Sequence, residues 1–476
     1  MEMGEARLAV ADTLAALNAA LGRDAGPGLW FKESSARNLR SRDFLAPRGA
    51  LRWLFPGGQV GAGPGRRGGA YSARHVPSAG TRAAAAAHAR RPRWSRRVNV
   101  RLVPAAPEDG VCQLLHQLGV DWPWAPEAPS APQAVAAWKR VLSQCPHAVA
   151  GEQGPGTLFA VRLRSFLEQQ GLQGYDPSLD VLLVTEEELR ALAELECAAQ
   201  RSMAEALGGT CTVLHVVSAE EELQQQKADL LWRMLEPGAL SAAQKHLVCG
   251  PVKATSTSVP EGASQYYQLR QRQLHKASVM KYGDLAHDES WTEVIRVLTS
   301  AAIRFEMLSA AHRSQITLDL ADGGISTKGT RSGAFVMYNC ARMATLFQTY
   351  QQAVEQGTYP ALPPPPELDF SCLREEGEWL LLFNHILPFP ELLQQAAQLP
   401  ISSSTIRITA NTEAVCRFLV QLSMDFSSYY NRVHVLGEPL PHLFPPMLAR
   451  LQLLSAVRDV LHSALATLHL PPLNQV

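Results

Sequence analysis

The sequence predicts an α/β domain followed by an all-α helical bundle, and three observations lead to this fold class. Between residues 110 and 250, short β-branched runs alternate with helical segments. After Trp291, apolar residues recur almost throughout at helical spacing. The chain has 476 residues and 46% hydrophobic content, enough for two or three domains with sizeable cores.

Two segments precede the α/β domain. Residues 1–56 form a small N-terminal segment whose leucines recur on one helical face: Leu8, Leu14, Leu17 and Leu21. Residues 57–109 are rich in Gly, Ala, Pro and Arg, and ten arginines precede the first acid at Glu108. Such a composition cannot bury enough apolar surface to offset its ordering entropy, so we predict a disordered linker. Its arginines either bind an RNA backbone without sequence preference or belong to a solvated linker.

Residues 110–290 are expected to form a parallel α/β domain. The clearest strands cover residues 180–185 and 212–217, and helical segments follow at 186–206 and 220–235. The glycines nearby form neither G-x-G-x-x-G nor a P-loop. A nucleotide site is therefore not indicated, and we expect no cofactor.

Residues 291–476 are expected to form an antiparallel helical bundle. A first helix opens at Thr292, and four more are predicted over residues 332–356, 376–386, 412–433 and 446–470. Prolines mark the ends of these segments, because proline is tolerated at a helix start and stops a helix from continuing.

Charge, cysteines and the N-terminus limit the class of protein. The net charge is zero and the pI is about 7.2, so any nucleic-acid binding must come from a local surface. The eight cysteines are scattered without a C-x-x-C pair, which indicates reduced thiols and no metal site. Glu2, Glu5 and Asp12 precede any apolar run, which argues against a secretory signal. We expect a cytoplasmic protein.

The last third of the chain carries several motifs in a fixed order. They occupy residues 302–309, 333–342, 378–382, 389–391, 418–422, 429–430 and 450–461. In this order they resemble the DALR anticodon-binding domain of arginyl-tRNA synthetases. The runs 335–342 and 424–432 also resemble a metazoan group of DALR-domain proteins.

This resemblance implies a surface that reads the anticodon loop of a tRNA. Unpaired bases are recognised by aromatic stacking and by hydrogen bonds to base edges, while arginines hold phosphates. The resemblance implies that Tyr338 or Tyr430 stacks a base and that Asn339 reads a base edge. Tyr429 is a further candidate for RNA binding. The candidate phosphate contacts are Arg342, Arg432, Arg450 and Arg458.

A structural interpretation of the same residues stays open at this stage. Tyr338 and Tyr429 have apolar neighbours at helical spacing and could equally be core aromatics. Arg458 follows Val457 and could equally lie at a domain interface.

The resemblance also implies what the chain lacks. Class I synthetases use an H-x-G-H turn and a K-M-S-K-S loop to hold ATP, whereas none of the fourteen histidines lies in H-x-G-H. Residues 276–281 are at best a degraded trace of the second signature. We therefore predict that the chain is not an enzyme and that residues 110–290 are a relic, synthetase-like α/β domain kept for structure or docking.

Other chemistries find no support in the sequence. It contains neither a G-x-S-x-G elbow nor H-E-x-x-H, and no glycine-rich turn follows a first strand as a methyl-donor site would need. A loop cap explains Asp319 and Asp322 more economically than acid–base catalysis. His215 is interpreted as a satisfied core histidine.

These observations favour a tRNA-binding adaptor. From Lys276 to the C-terminus there are fourteen Lys and Arg against eighteen Asp and Glu, which favours binding tRNA jointly with a partner. The resemblance implies that arginine tRNAs are bound and that the partner is a tRNA N3-cytidine methyltransferase. The alternatives are a structural scaffold that does not bind RNA and, last, an enzyme in its own right.

Overall fold

The structure is a computed structural model, and its residues fall into several described ranges. They are 31–32, 44–47, 70–72, 113–114, 116–118, 131–151, 156–205, 212–238, 244–254, 263–283, 289–318, 333–397 and 405–474. Most of the predicted N-terminal segment and linker, as well as Asp319 and Asp322, lies outside these residues. Across the described part of the chain, no helix has the length and apolar character to cross a membrane.

Three short strands come first and form one antiparallel sheet in the order β1-β2-β3. They are β1 Phe31–Lys32, β2 Phe44–Pro47 and β3 Ala70–Ser72. The third strand lies within residues 57–109, the segment expected to be a linker, and the linker assignment stays a prediction.

Among the described residues, the α/β domain contains six strands and several helices. The strands are β4 Ala148–Ala150, β5 Thr157–Arg162, β6 Val181–Thr185, β7 Val213–Ser218, β8 Gln244–Cys249 and β9 Val252–Ala254. The helices are α1 Ala131–Gln144, α2 Leu163–Gln170, α3 Glu186–Glu205, α4 Glu222–Leu235 and α5 Ala263–Tyr282. Their core is built around Trp138, Leu142 and Trp232, each at most 1% exposed.

The sheets are only partly parallel. Strands β7 and β8 are parallel, and β9 pairs in parallel with β10 Ile316–Leu318. Strands β4, β5 and β6 instead form an antiparallel sheet, so the expected parallel arrangement is wrong there. Only residues 151–156 separate β4 from β5. A connection this short forms a hairpin, because parallel strands need a crossover of a dozen or more residues.

The predicted helical bundle is confirmed. Its helices are α6 Glu289–Leu308, α7 Gly333–Glu355, α8 Glu376–Leu381, α9 Phe389–Ala397, α10 Thr412–Arg432 and α11 Phe444–Thr467. A π-helical turn, Leu382–Ile386, continues α8. The bundle has one continuous core in which Leu298, Met337, Leu419 and Leu454 are fully buried.

Residues 276–281, the expected trace of an ATP-binding loop, lie inside α5. Met280 is 82% exposed on this helix. The segment is therefore regular helix in this structure and not the flexible loop that a K-M-S-K-S signature requires.

Backbone contacts join the α/β domain to the bundle. His246 in β8 donates its N–H to the carbonyl of Ile406 over 2.8 Å and accepts the N–H of Ile408 over 3.0 Å. Gly250 donates to the carbonyl of His312 at 2.7 Å. The guanidinium of Arg407 pairs with Glu222 of α4. The contact thus includes main-chain hydrogen bonds, side-chain hydrogen bonds to main-chain carbonyls and an ion pair.

Candidate nucleic-acid interface

A seam between α7 and α10 brings Arg342 and Tyr430 together. The guanidinium carbon of Arg342 lies 5.3 Å from the ring centroid of Tyr430, and one guanidinium N–H donates to the Ser427 hydroxyl at 3.2 Å. Tyr430 in turn contacts Phe426, with ring centroids 5.7 Å apart. Arg342 and Tyr430 are both partly exposed. The seam therefore presents a positive charge whose plane is already fixed by a ring and a hydroxyl.

Tyr338 precedes Arg342 by one turn of α7. Residues four apart lie on the same side of a helix, so the two side chains lie on the same side of α7. Tyr338 is partly exposed and packs against the bundle core, with its hydroxyl buried. The exposed part is therefore ring surface, which can stack but offers no hydroxyl to solvent.

Arg432 is exposed at the last residue of α10. Its Nε donates to the carbonyl of Ser428 at 3.1 Å, which satisfies a carbonyl at the helix C-terminus where a cation is favourable. The assignment of Arg432 as a phosphate contact stays a prediction.

Arg458 lies on α11 and packs against Phe347 of α7. Its guanidinium carbon is 4.3 Å from the ring centroid of Phe347, and its side chain is 34% exposed. Burial, together with this positive charge, lowers the pKa of His462 one turn further along α11. Arg458 therefore joins α7 to α11 within the bundle, and an RNA contact through its remaining exposed surface stays a prediction.

Tyr429 and Arg450 meet at a buried carboxylate instead of lying on the predicted surface. Tyr429 is 0% exposed and its hydroxyl donates to Glu378 at 3.2 Å, while Arg450 Nε donates to the same oxygen at 2.8 Å. Burial and the Glu378 charge raise the pKa of Tyr429 far above its usual range. A base has no path to Tyr429, which acts within the core. The charge of Arg450 is balanced by Glu378, its side chain is 20% exposed, and its assignment as a phosphate contact stays a prediction.

Asn339 is also in the core. It is 1% exposed and its amide donates to the carbonyl of Phe335 at 2.8 Å. The predicted contact with a base edge would require α7 to separate from its neighbours. Asn339 therefore supports the helix rather than the interface.

Sequence reasoning missed the residues that contact three of the candidate arginines. Ser427 is the partner of Arg342, and Phe347 is the ring beneath Arg458. Glu378 neutralises Arg450, although the sequence alone suggested only part of a leucine-rich motif there. The helical spacing of Leu419, Leu422 and Phe426 was a usable signal, because continuing it places Tyr429 on the core face and Tyr430 on the edge.

A second polar cluster lies beneath α4 in the α/β domain. His215 is hydrogen-bonded to Gln244 at 2.8 Å and to Gln225 at 3.2 Å. Neighbouring His246 lies 3.2 Å from the buried carboxylate of Asp229. Burial, reinforced by His246, lowers the pKa of His215 to about 4. A neutral, hydrogen-bonded His215 agrees with the interpretation of this residue as a core histidine.

Comparison with known proteins identifies the family to which this chain belongs. A family model described as the DALR anticodon binding domain matches residues 336–476, and one described as the DALR N-terminal domain matches residues 8–63. The chain is 44% identical to the Mus musculus DALR anticodon-binding domain-containing protein 3, and the alignment covers 100% of both chains. The chain belongs to the DALR anticodon-binding domain-containing protein 3 family. The name of this family describes a domain and not a synthetase activity.

The family is related to arginyl-tRNA synthetases. The arginine–tRNA ligase of Syntrophotalea carbinolica is 32% identical over 37% of this chain and 28% of its own length. An arginyl-tRNA synthetase from Plasmodium falciparum has the same fold with a TM-score of 0.53 at 13% identity, over 77% of this chain and 56% of that one. The expected architecture, a synthetase-like α/β domain before a DALR helical domain, is confirmed.

Proposed function

We propose that this protein is a non-catalytic adaptor that binds the anticodon arm of arginine tRNAs and presents it to a tRNA-modifying enzyme. One observation carries the proposal: the helices matched by the anticodon-binding family model hold a partly exposed, pre-oriented pair, Arg342 and Tyr430. The relation to arginyl-tRNA synthetases supports arginine tRNAs as the RNA class.

The arrangement of Arg342 suggests how a base is held. One face of its guanidinium lies against Tyr430, so a base splayed from the loop stacks on the opposite face. Because the plane is fixed by the ring and by Ser427, little side-chain entropy is lost on binding. Tyr338, one turn earlier on the same side of α7, offers a second ring surface. In this proposal Arg342, rather than Tyr430, is the stacking platform.

Charge argues for a partner. From Lys276 to the C-terminus, acids exceed bases by eighteen to fourteen, and Arg450 is already paired with Glu378. Tight binding to an RNA backbone needs several unpaired cations. A second protein therefore supplies the remaining positive surface. The partner is a tRNA N3-cytidine methyltransferase, and its target is a cytidine whose Watson–Crick edge is free in the anticodon loop.

A structural scaffold that does not bind RNA is the second candidate. The burial of Tyr429 and Asn339 favours it, because two of the aromatic and amide groups expected at an anticodon surface serve the core. On this account the fold persists for protein contacts alone.

The deciding experiment crosslinks the protein to RNA in cells and sequences the RNA recovered. Wild type is compared with a Tyr338→Ala, Arg342→Ala double variant and with Arg417→Ala, which removes an exposed cation elsewhere on α10. The adaptor predicts arginine tRNAs enriched with wild type and Arg417→Ala but lost with the double variant. Equal, non-selective recovery from all three would favour the scaffold.

A second measurement tests the partner. Purified methyltransferase is given an arginine tRNA with and without this protein, and N3-methylcytidine in the anticodon loop is quantified. We expect formation to depend on the wild-type chain and to fall with the double variant. Equal formation without the chain would exclude a presenting role.

A further inference from the structure

Strands β7 and β8 form a small parallel sheet with one covered face. Their paired residues His215 and His246 lie on the face beneath α4, where Val248 is 4% exposed and His246 is fully buried. This face is thus packed in the usual manner of an α/β protein.

The opposite face of the same sheet is open and apolar. Val216 is 65% exposed and Leu214 is 37% exposed, and their partners in β8 are Leu247 and Lys245. Parallel sheets are almost always covered on both faces, because their strands are apolar on both sides. Exposed apolar patches of this kind mark contact surfaces. We call Leu214, Val216 and Leu247 the open face.

Two exposed carboxylates at the end of β7 argue against RNA at the open face. They belong to an acidic segment, since residues 163–236 carry fourteen Asp and Glu against five Lys and Arg, a net charge of −9. Glu220 and Glu221 are both exposed directly after β7. Lys245 shares the open face, but its ammonium donates to the carbonyl of Thr405 at 2.7 Å. An RNA backbone would be repelled here, whereas a basic protein surface is complementary.

We propose that the open face binds a basic amphipathic helix of a partner protein. This inference rests on the proposed function, in which that partner is the tRNA-modifying enzyme. A helix is the element that covers the second face of a parallel sheet elsewhere in α/β folds. Its apolar stripe lies over Val216 and Leu214, and its Lys and Arg lie toward Glu220 and Glu221.

With this surface, the molecule has separate binding sites for RNA and for the enzyme. The seam at Arg342 and Tyr430 faces RNA, and the acidic α/β domain holds the enzyme whose own surface must be basic to bind tRNA. The main-chain contacts of His246 and Gly250 with the bundle fix the two surfaces relative to each other. A relic domain without ATP-binding signatures therefore keeps a specific task.

The test measures the affinity of purified tRNA N3-cytidine methyltransferase for the full chain. Wild type is compared with Val216→Glu and with Leu440→Glu, which places the same charge at a leucine that is 41% exposed in the bundle. We expect Val216→Glu to weaken the complex about tenfold or more, with Leu440→Glu and tRNA crosslinking unchanged. Unchanged affinity of Val216→Glu would overturn the proposal.

A second experiment distinguishes failure of this docking proposal from failure of the proposed function. If wild type binds tRNA but not the methyltransferase, the choice of partner fails, and the open face is then probed with a synthetic amphipathic helix of Leu and Lys. If the wild-type chain binds this peptide more tightly than a peptide of Leu and Glu, and Val216→Glu abolishes the difference, the open face remains a docking surface. No preference, or a self-association of the chain abolished by Val216→Glu, would overturn it.

Discussion

Arg342 on α7 and Tyr430 on α10 are eighty-eight residues apart in sequence, yet the guanidinium carbon lies 5.3 Å from the ring centroid. Arg342 is thereby oriented before any RNA arrives. The ring fixes the plane of the guanidinium, and the Ser427 hydroxyl fixes its rotation within that plane.

The first prediction separates the shape of Arg342 from its charge. We expect Arg342→Lys to weaken arginine-tRNA binding nearly as much as Arg342→Ala, because an ammonium cannot present a planar stacking face. Loss of one stacked base costs roughly 1–3 kcal/mol. Tyr430→Phe should bind like wild type, since the ring remains. Filter binding or fluorescence anisotropy with a purified arginine tRNA measures each variant.

Arg417→Ala serves as the matched control for loss of one exposed cation. It should change affinity little. If Arg342→Lys bound as tightly as wild type while Arg342→Ala did not, Arg342 would be a simple phosphate contact and the stacking role would be wrong.

The helices of the bundle could be predicted from sequence, whereas the exposure of individual residues was harder to predict. The helix expected over residues 412–433 is observed as Thr412–Arg432, because burial imposes a regular apolar spacing along α10. Tyr429 and Tyr430 differ by 100° around that helix, so one faces the core and the other the seam. A resemblance between motifs does not separate these two roles, since it compares residues and not directions.

The side chains that contact the candidate residues could not be predicted from the sequence. Glu378 is 1% exposed and lies on α8, which is seventy-two residues before Arg450. No local pattern connects such positions. The antiparallel pairing of β4 with β5 follows from their short connection. The β-branched runs further along the chain instead led to the prediction of a parallel sheet throughout the domain.

The second prediction concerns this buried carboxylate. Glu378→Ala leaves the Arg450 guanidinium and the Tyr429 hydroxyl without their acceptor, and we expect a loss of about 3–5 kcal/mol in the free energy of unfolding. Urea denaturation measures it. Glu376→Ala removes an exposed carboxylate from the same helix and should cost less than about 0.5 kcal/mol.

The ion pair between Glu378 and Arg450 also allows a test of whether Arg450 stabilises the fold or contacts RNA. Arg450→Ala should lower stability while the folded protein still binds tRNA with unchanged affinity. A variant of normal stability with weak tRNA binding would instead return Arg450 to the RNA-contacting surface.

The third prediction concerns the contact between the α/β domain and the bundle. A Cβ at Gly250 would overlap the backbone carbonyls of Ser314 and Arg313, which a side chain cannot relieve by rotating. Gly250→Ala should therefore destabilise the protein by about 1–3 kcal/mol. Gly238→Ala meets no atom within 4 Å and is the control. Thermal unfolding of both variants gives the comparison. Equal melting temperatures for the two would show that the backbone near Gly250 can move at little energetic cost.

The fourth prediction follows from His215. Its pKa is lowered to about 4 in the folded protein, against 6.5 for an exposed histidine. Below pH 6.5 the unfolded chain therefore binds a proton that the folded chain refuses, and stability falls as the pH drops from 6.5 towards 4. Between pH 7 and pH 5 the loss is about 2 kcal/mol. His215→Gln removes this contribution, whereas His246, Asp229 and Arg233 remain as charged or titratable neighbours in both proteins.

Urea denaturation of wild type and His215→Gln at pH 7 and pH 5 measures the difference. The variant should lose less stability than wild type on acidification. His442→Gln replaces an exposed histidine of the bundle and should follow wild type at both pH values. If His215→Gln and wild type lost equal stability, His215 would be protonated within the fold at pH 5, and the cluster beneath α4 would have to accommodate its charge beside Asp229.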